Sequence, residues 1–459
     1  MMYGFDQALA LETKALAINA ATRDHVALEL DYQLWRLLQD ACRTHPEAAC
    51  EIFGIHHSTA AVIAAAEKTK LQELSSGAVL SFGIQNTQQI EKLIEDALAS
   101  QTELDSSVSA MESPELAYWR AVRLMALRDP HQAHAKTGVP ADLLCKLAQA
   151  GDRHLANLAQ CEIGFGLMCS EAVISDILLE TKPETLTQLR LKKVQQCLTA
   201  RGRAPSAHAP HSCSSMTATN RQLVGRLMLI TGFVNRVVEL ETGLSYKQII
   251  KLQAHIRADK VKINNPQSRS LKTGASLVYN YSSKIQASLL MQLYVNVGGA
   301  DVYHNTNVNA LLRAYHIYRQ LREEIPGMKA PRWAPFDINS TWSLVAELRR
   351  SADAGMMGQC DTCNCSYFTS AAQRTYIECP YCHVHREKTM QERPSPTADA
   401  VPCSSPGGHA HGDSCPCMAK IQVKGSSAMI GAEKMELDTH PYSLQHPPPL
   451  VDTLQAQSA

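Results

Sequence analysis

Leu227, Ile230, Val234, Val237 and Val238 recur three or four positions apart, which puts them on one face of a helix. Gly243 then permits the left-handed turn that ends that helix. Ser245, with Gln248 three residues on, forms a capping box that opens a second helix. This second helix turns Ile249, Leu252 and Ile256 to a core, while Lys247, Gln248, Lys251 and His255 share its other side. The pattern predicts a helix-turn-helix whose second helix can lie in the major groove of DNA. An ordinary solvated helical hairpin has the same periodicity.

The first half of the chain repeats itself. At an offset of 84 residues Trp35 meets Trp119, Arg36 meets Arg120, Pro46 meets Pro130, Ala49 meets Ala133 and Gly54 meets Gly138. Ala64/Ala148, Ala66/Ala150, Leu71/Leu155 and Leu74/Leu158 follow, with Ile55/Val139 and Ile90/Ile174 closely matched. The unit reads as a helix around the Trp, a short helix after the Pro, a glycine turn at Gly54, and a further helix capped by Ser58. Two copies are too few for a solenoid. They predict a duplicated small helical domain over residues 1–105 and 106–198, then a Pro/Ser/His-rich linker over 199–218. A mostly helical segment covers 219–391, and 392–459, rich in Pro, Gly, Ser and His, reads as a disordered tail.

Composition sharpens this picture. A chain of 459 residues with 45% hydrophobic residues holds several cored domains. No run of 18 apolar residues occurs, so no membrane partner is expected. Asp6 and Glu12 stand where a signal peptide is basic and then apolar, which predicts a cytoplasmic protein. The charge sums to zero but is divided: residues 1–114 hold 7 Lys/Arg against 16 Asp/Glu, and 183–393 hold 27 against 14. The basic excess is densest over 244–274, where Lys247, Lys251, Arg257, Lys260, Lys262, Arg269 and Lys272 face a single acid. Such a cluster neutralises phosphates with salt-sensitive affinity. Nucleotide-binding glycine loops, metalloprotease and hydrolase motifs are absent, so no enzyme is expected.

Candidate metal chemistry lies at the end of the basic segment. Of the 15 cysteines, those before residue 360 are scattered singly, as small core residues are. Cys360-x-x-Cys363 then precedes Cys379-Pro-Tyr-Cys382-His383 with 15 residues between the pairs. The second pair alone also fits a glutaredoxin-type dithiol or a c-type haem attachment site. The dithiol needs a βαβ unit, haem attachment needs export, and neither uses the first pair. Two Cys-x-x-Cys turns fit one structural Zn2+ held by Cys360, Cys363, Cys379 and Cys382, with no open position for substrate. Cys365, His383 and His385 are spare donors close by.

Residues 219–390 resemble FlhC, a subunit of the bacterial flagellar transcriptional activator. The stretches "LITGFVNRVVELETGLSYKQIIKL", "VNALLRAYHIYRQL", "STWSLVAELRRSADAGMMGQCDTC" and "CPYC" carry the resemblance, in the family's order. The repeats resemble its partner FlhD more faintly. "YQLWRLLQDACRTHPEAACEIFGIHHSTAAVIAAAEKTKLQELSSGAVLSFGI" carries it in the first copy, and "YWRAVRLMALRDPHQAHAKTGVPADLLCKLAQAGDRHLANL" in the second. The resemblance implies a mainly α fold of tandem FlhD-like domains plus an FlhC-like domain with a helix-turn-helix and a four-cysteine zinc site. It also implies promoter DNA and RNA polymerase as partners. The family joins four FlhD-type to two FlhC-type chains, so a homodimer of this fused chain restores those proportions. Ser245, Lys247, Gln248, Lys251, His255, Arg257, Lys260, Lys262, Arg269 and Lys272 are the expected DNA contacts. The alternative is a zinc-containing adaptor that has lost DNA binding.

Overall fold

The computed structural model describes residues 24–84, 87–99, 114–161, 165–202, 218–264, 270–350, 356–370, 372–373 and 378–382. The expected tail at 392–459, His383 and His385 lie outside them. The described chain is mainly helical, with 18 α-helices and two small two-stranded sheets. No single described helix is long and apolar enough to cross a membrane.

The first copy contributes α1 (His25–Thr44), α2 (Pro46–Phe53), α3 (His57–Ala65), α4 (Lys68–Leu74), β1 (Phe82–Ile84) and α5 (Thr87–Ala99). The second contributes α6 (Pro114–Arg128), α7 (Pro130–Thr137), α8 (Ala141–Ala148), α9 (Asp152–Gln160), β2 (Phe165–Leu167) and α10 (Glu171–Leu179). The second to fourth helices of each copy start 84 residues apart. Pro46 and Pro130 each open a helix at a position whose N–H needs no partner. Gly54 (φ 62°) and Gly138 (φ 81°) close them in the left-handed region. Ser58 does not cap α3 as expected. The helix already starts at His57, after an extended His56, and no side chain caps it.

The copies interlock rather than standing in tandem. β1 and β2 pair antiparallel about Gly83 and Gly166, with Phe82 opposite Leu167 and Ile84 opposite Phe165. The register is therefore two-fold symmetric within one chain. The last helices are exchanged: α5 packs on α8 and α9 of the second copy, and α10 on α3 and α4 of the first. Lys146 binds Glu95 at 2.6 Å on one side of the exchange, and Glu171 accepts from the His56 N–H at 2.6 Å on the other. Trp35 and Trp119, both fully buried, lie on α1 and α6, which pack together.

The helix α11 (Pro183–Gly202) runs into the segment expected to be a linker, and residues 203–217 lie outside the described ones. It is polar, yet it is buried on nearly every side from Thr187 to Arg201. A helix of that kind belongs between domains. Its apolar residues divide accordingly: Leu189 joins the core of the repeats, while Leu191, Val194, Cys197 and Leu198 join the core of the C-terminal part. That part comprises α12 (Ala218–Thr231), α13 (Asn235–Thr242), α14 (Tyr246–Ala258), α15 (Gly274–Leu277), α16 (Tyr281–Gly298), α17 (Val308–Glu324) and α18 (Ile338–Arg350). The hairpin of β3 (Met356–Gln359) and β4 (Ser366–Thr369) follows.

Polar contacts seal the seam between the two parts. Ser76 Oγ and the Gly77 N–H donate to buried Glu324 at 2.9 and 3.2 Å. Asp129, which caps α7, takes Arg313 Nε at 2.9 Å. Asp31 accepts from the Ser76 and Ser81 amides and from Ser81 Oγ, which Lys193 Nζ also reaches at 2.6 Å.

Candidate metal centre and cationic helix

The four-cysteine cluster is built by two turns. Between β3 and β4 the Cys360 N–H donates to the Cys365 carbonyl at 3.0 Å and the Asn364 N–H to the Cys360 carbonyl at 2.8 Å. Asn364 takes φ 58°, a left-handed value that asparagine tolerates better than most residues. This turn aims Cys360 and Cys363 at Cys379 and Cys382 on the returning segment. Cys360 Sγ lies 3.5 Å from Cys382 Sγ, Cys363 Sγ lies 3.5 Å from Cys379 Sγ, and all four sulfurs fall within 4.8 Å of one another. Four thiolates about a zinc ion at about 2.3 Å leave tetrahedral edges of roughly 3.8 Å. The donor set and its spacing therefore fit one ion with closed coordination.

The thiol of Cys363 is held well below the usual range by hydrogen bonds from Cys365 and then Cys379. The hydrogen bond with Cys363, then burial, push Cys379 well up, while burial and the Cys360 hydrogen bond push Cys382 up to about 12. Four thiolates this close need a divalent ion to ionise together. Cys365 is fully buried beside the cluster, its thiol against Cys363 and 3.9 Å from the Lys192 carbonyl. The hairpin is held down by Phe368 N–H to Ser288 Oγ at 3.0 Å and by Ser370 Oγ to Glu347 at 2.5 Å.

The cationic segment begins with three helices rather than two. The apolar face expected to run from Leu227 to Val238 is broken at Gly232, which takes φ 104° and ends α12. Asn339 of α18 serves both sides of the break, accepting from the Val234 N–H at 2.9 Å and donating to the Gly232 carbonyl at 3.0 Å. α12, α13 and α14 pack on one another through buried Leu227, Ile230, Val237, Val238, Ile249 and Ile256. Only Gly243, Leu244 and Ser245 separate α13 from α14. The capping box is present: Ser245 receives the Gln248 N–H, and Gln248 Oε1 accepts from the Ser245 N–H at 2.8 Å.

Lys247, Gln248, Lys251, His255 and Arg257 are all exposed on α14, and Lys260, Lys262 and Lys272 are exposed after it. Ser245 is exposed as well, with its hydroxyl engaged in the cap. Arg269 lies outside the described residues. Asp259, the one acid of 244–274, is neutralised by Arg226 at 2.8 Å, so the surface there is cationic. Two residues missed in the sequence stand among these cations: Tyr246, 62% exposed, and Ile250, 42% exposed. They lie off the Ile249–Leu252–Ile256 core face, which was the signal available to find them.

No curated protein and no solved structure matches the chain. Residues 214–393 match the family described as Flagellar transcriptional activator (FlhC), so the part that holds both the cationic helix and the cysteine cluster is FlhC-like and supports an activator-like role.

Proposed function

We propose that the chain is a DNA-binding transcriptional activator of the flagellar type. It acts in the cytoplasm as a homodimer, binds promoter DNA, recruits RNA polymerase and carries no catalytic step. The observation that carries this reading is α14: an exposed cationic helix, set by a capping box on a three-helix core inside the FlhC-like stretch. In the proposed complex α13 and α14 form a helix-turn-helix with α14 in the major groove. Lys247 and Lys251 neutralise phosphates, Gln248 Nε2, left over from the cap, and Tyr246 meet base edges, and Ile250 packs on a thymine methyl. Cys360, Cys363, Cys379 and Cys382 hold one structural Zn2+, which cross-links the two turns. The interlocked repeats supply an FlhD-like pair within one chain, so two chains provide four such units.

The test is binding of the purified full chain to a flagellar-type promoter duplex against a scrambled duplex near physiological salt. A strong preference for the promoter in a complex of two chains is expected. Equal weak binding to both, or none by folded protein, overturns the reading and favours an adaptor.

A further inference from the structure

The metal-holding hairpin touches more than its own domain. Gln196 of α11 is buried between two unrelated loops and uses both ends of its amide. Its Nε2 donates to the carbonyl of Cys363 at 2.9 Å. Its Oε1 accepts from the Ser170 N–H at 3.0 Å and from Ser170 Oγ at 3.2 Å. Ser170 is the N-cap residue of α10, the helix that the second copy lends to the first. Residues on either side of Gln196 along α11 also hold the hairpin. Thr199 Oγ1 accepts from the Ser366 N–H at 2.9 Å, and Gln195 Nε2 donates to the Ser366 carbonyl at 2.6 Å.

These bonds depend on the shape of the turn from Cys360 to Cys365. In the wound turn, closed by the Cys360–Cys365 and Asn364–Cys360 backbone hydrogen bonds, the Cys363 carbonyl faces Gln196 while the Cys363 thiol faces Cys379. Leaving either end of the buried Gln196 amide without a partner is costly, so loss of the hairpin bond favours a shift of the side chain that also weakens its bonds to Ser170.

We propose that Gln196, with Gln195 and Thr199, is a clasp through which metal occupancy of the cysteine cluster fastens the C-terminal part to the repeats. The proposal rests on the cluster being a metal site. Loss of the ion unwinds the turn, frees Gln196 and loosens the start of α10. Zinc thus tightens the junction of α10, α11 and the hairpin, adding to the Glu324 and Arg313 contacts that also hold the two parts together.

The experiment measures zinc content of the full chain first, then hydrogen exchange with and without a chelator. Stripping zinc is expected to speed exchange over 170–202 by roughly fivefold or more, the effect of one lost buried hydrogen bond, while α12 to α14 stay protected. The near-isosteric Gln196→Met is expected to keep one zinc per chain, release it faster to a chromogenic chelator, and expose the Ser170 amide. Thr199→Val gives the same changes more weakly and serves if Gln196→Met folds poorly. Loss of protection confined to 356–382 overturns the clasp while leaving the metal site standing. A folded chain without zinc overturns both, and the initial zinc measurement separates the two failures.

Discussion

Positions 52 and 136 are repeat mates, 84 residues apart, yet they invert the usual rule of burial. Ile52 of α2 is 66% exposed, and Lys136 of α7 is 1% exposed. The helices have the same length, the same opening proline and the same left-handed glycine at the end. What differs is what covers them. α7 lies against α16 of the C-terminal part, and Lys136 is paired there with Asp24 at 2.6 Å. The symmetric face of the first copy has no such cover among the described residues. The capping positions have diverged likewise: Asp129 caps α7 and binds Arg313, whereas His45 before α2 makes no side-chain cap. Two copies of one helical unit have thus taken different roles, and a single attached domain broke their symmetry.

That comparison can be broken by substitution. Lys136→Ala leaves Asp24 with only the more exposed Arg128, at 3.5 Å, as its ion-pair partner, and is expected to cost about 2 kcal/mol in urea unfolding. Ile52→Ala is expected to stay within about 0.5 kcal/mol. Equal costs at the two positions would show that α7 and α2 are packed alike.

A pH titration sharpens it. His316 of α17 faces the same seam, and its pKa is lowered to about 4, first by burial and then by the charges of Lys136 and Arg319, against the pull of Asp129 and Asp24. Because the folded value lies below the unfolded one, the unfolded chain binds the extra proton on acidification. Stability from this group is therefore complete above pH about 6.5 and declines as pH falls. The expected loss between pH 6.5 and 5 is about 2 kcal/mol. His316→Phe should flatten that interval in urea titrations; an unchanged slope would remove His316 from the seam.

Much of this was legible in residue types. The repeat showed because Pro at a helix start and Gly at its end are positional signals, and the capping box at Ser245 and Gln248 is a local one. The cysteine ligand set followed from spacing, and Cys360, Cys363, Cys379 and Cys382 do converge. What escaped was non-local. The exchange of α5 and α10 leaves each helix's own apolar pattern unchanged and alters only its partner. Gly232 breaks an apolar face whose period stays helical on both sides, and Asn339, more than 100 residues away, satisfies the break. The sequence pattern divides the helix α11 between the second copy and a linker from 199 because Lys193, Gln195, Gln196 and Arg201 give no hint that loops from both parts will cover them.

The most direct test concerns α14, on which the proposed activity depends. DNA affinity of the wild-type chain and of Lys247→Ala/Lys251→Ala should be measured across a range of salt. The account predicts that the double substitution weakens binding and lowers the slope of log K against log salt by about 2, roughly one for each lost phosphate contact. An unchanged slope in a folded, zinc-loaded variant would contradict it and move the DNA contact to another surface.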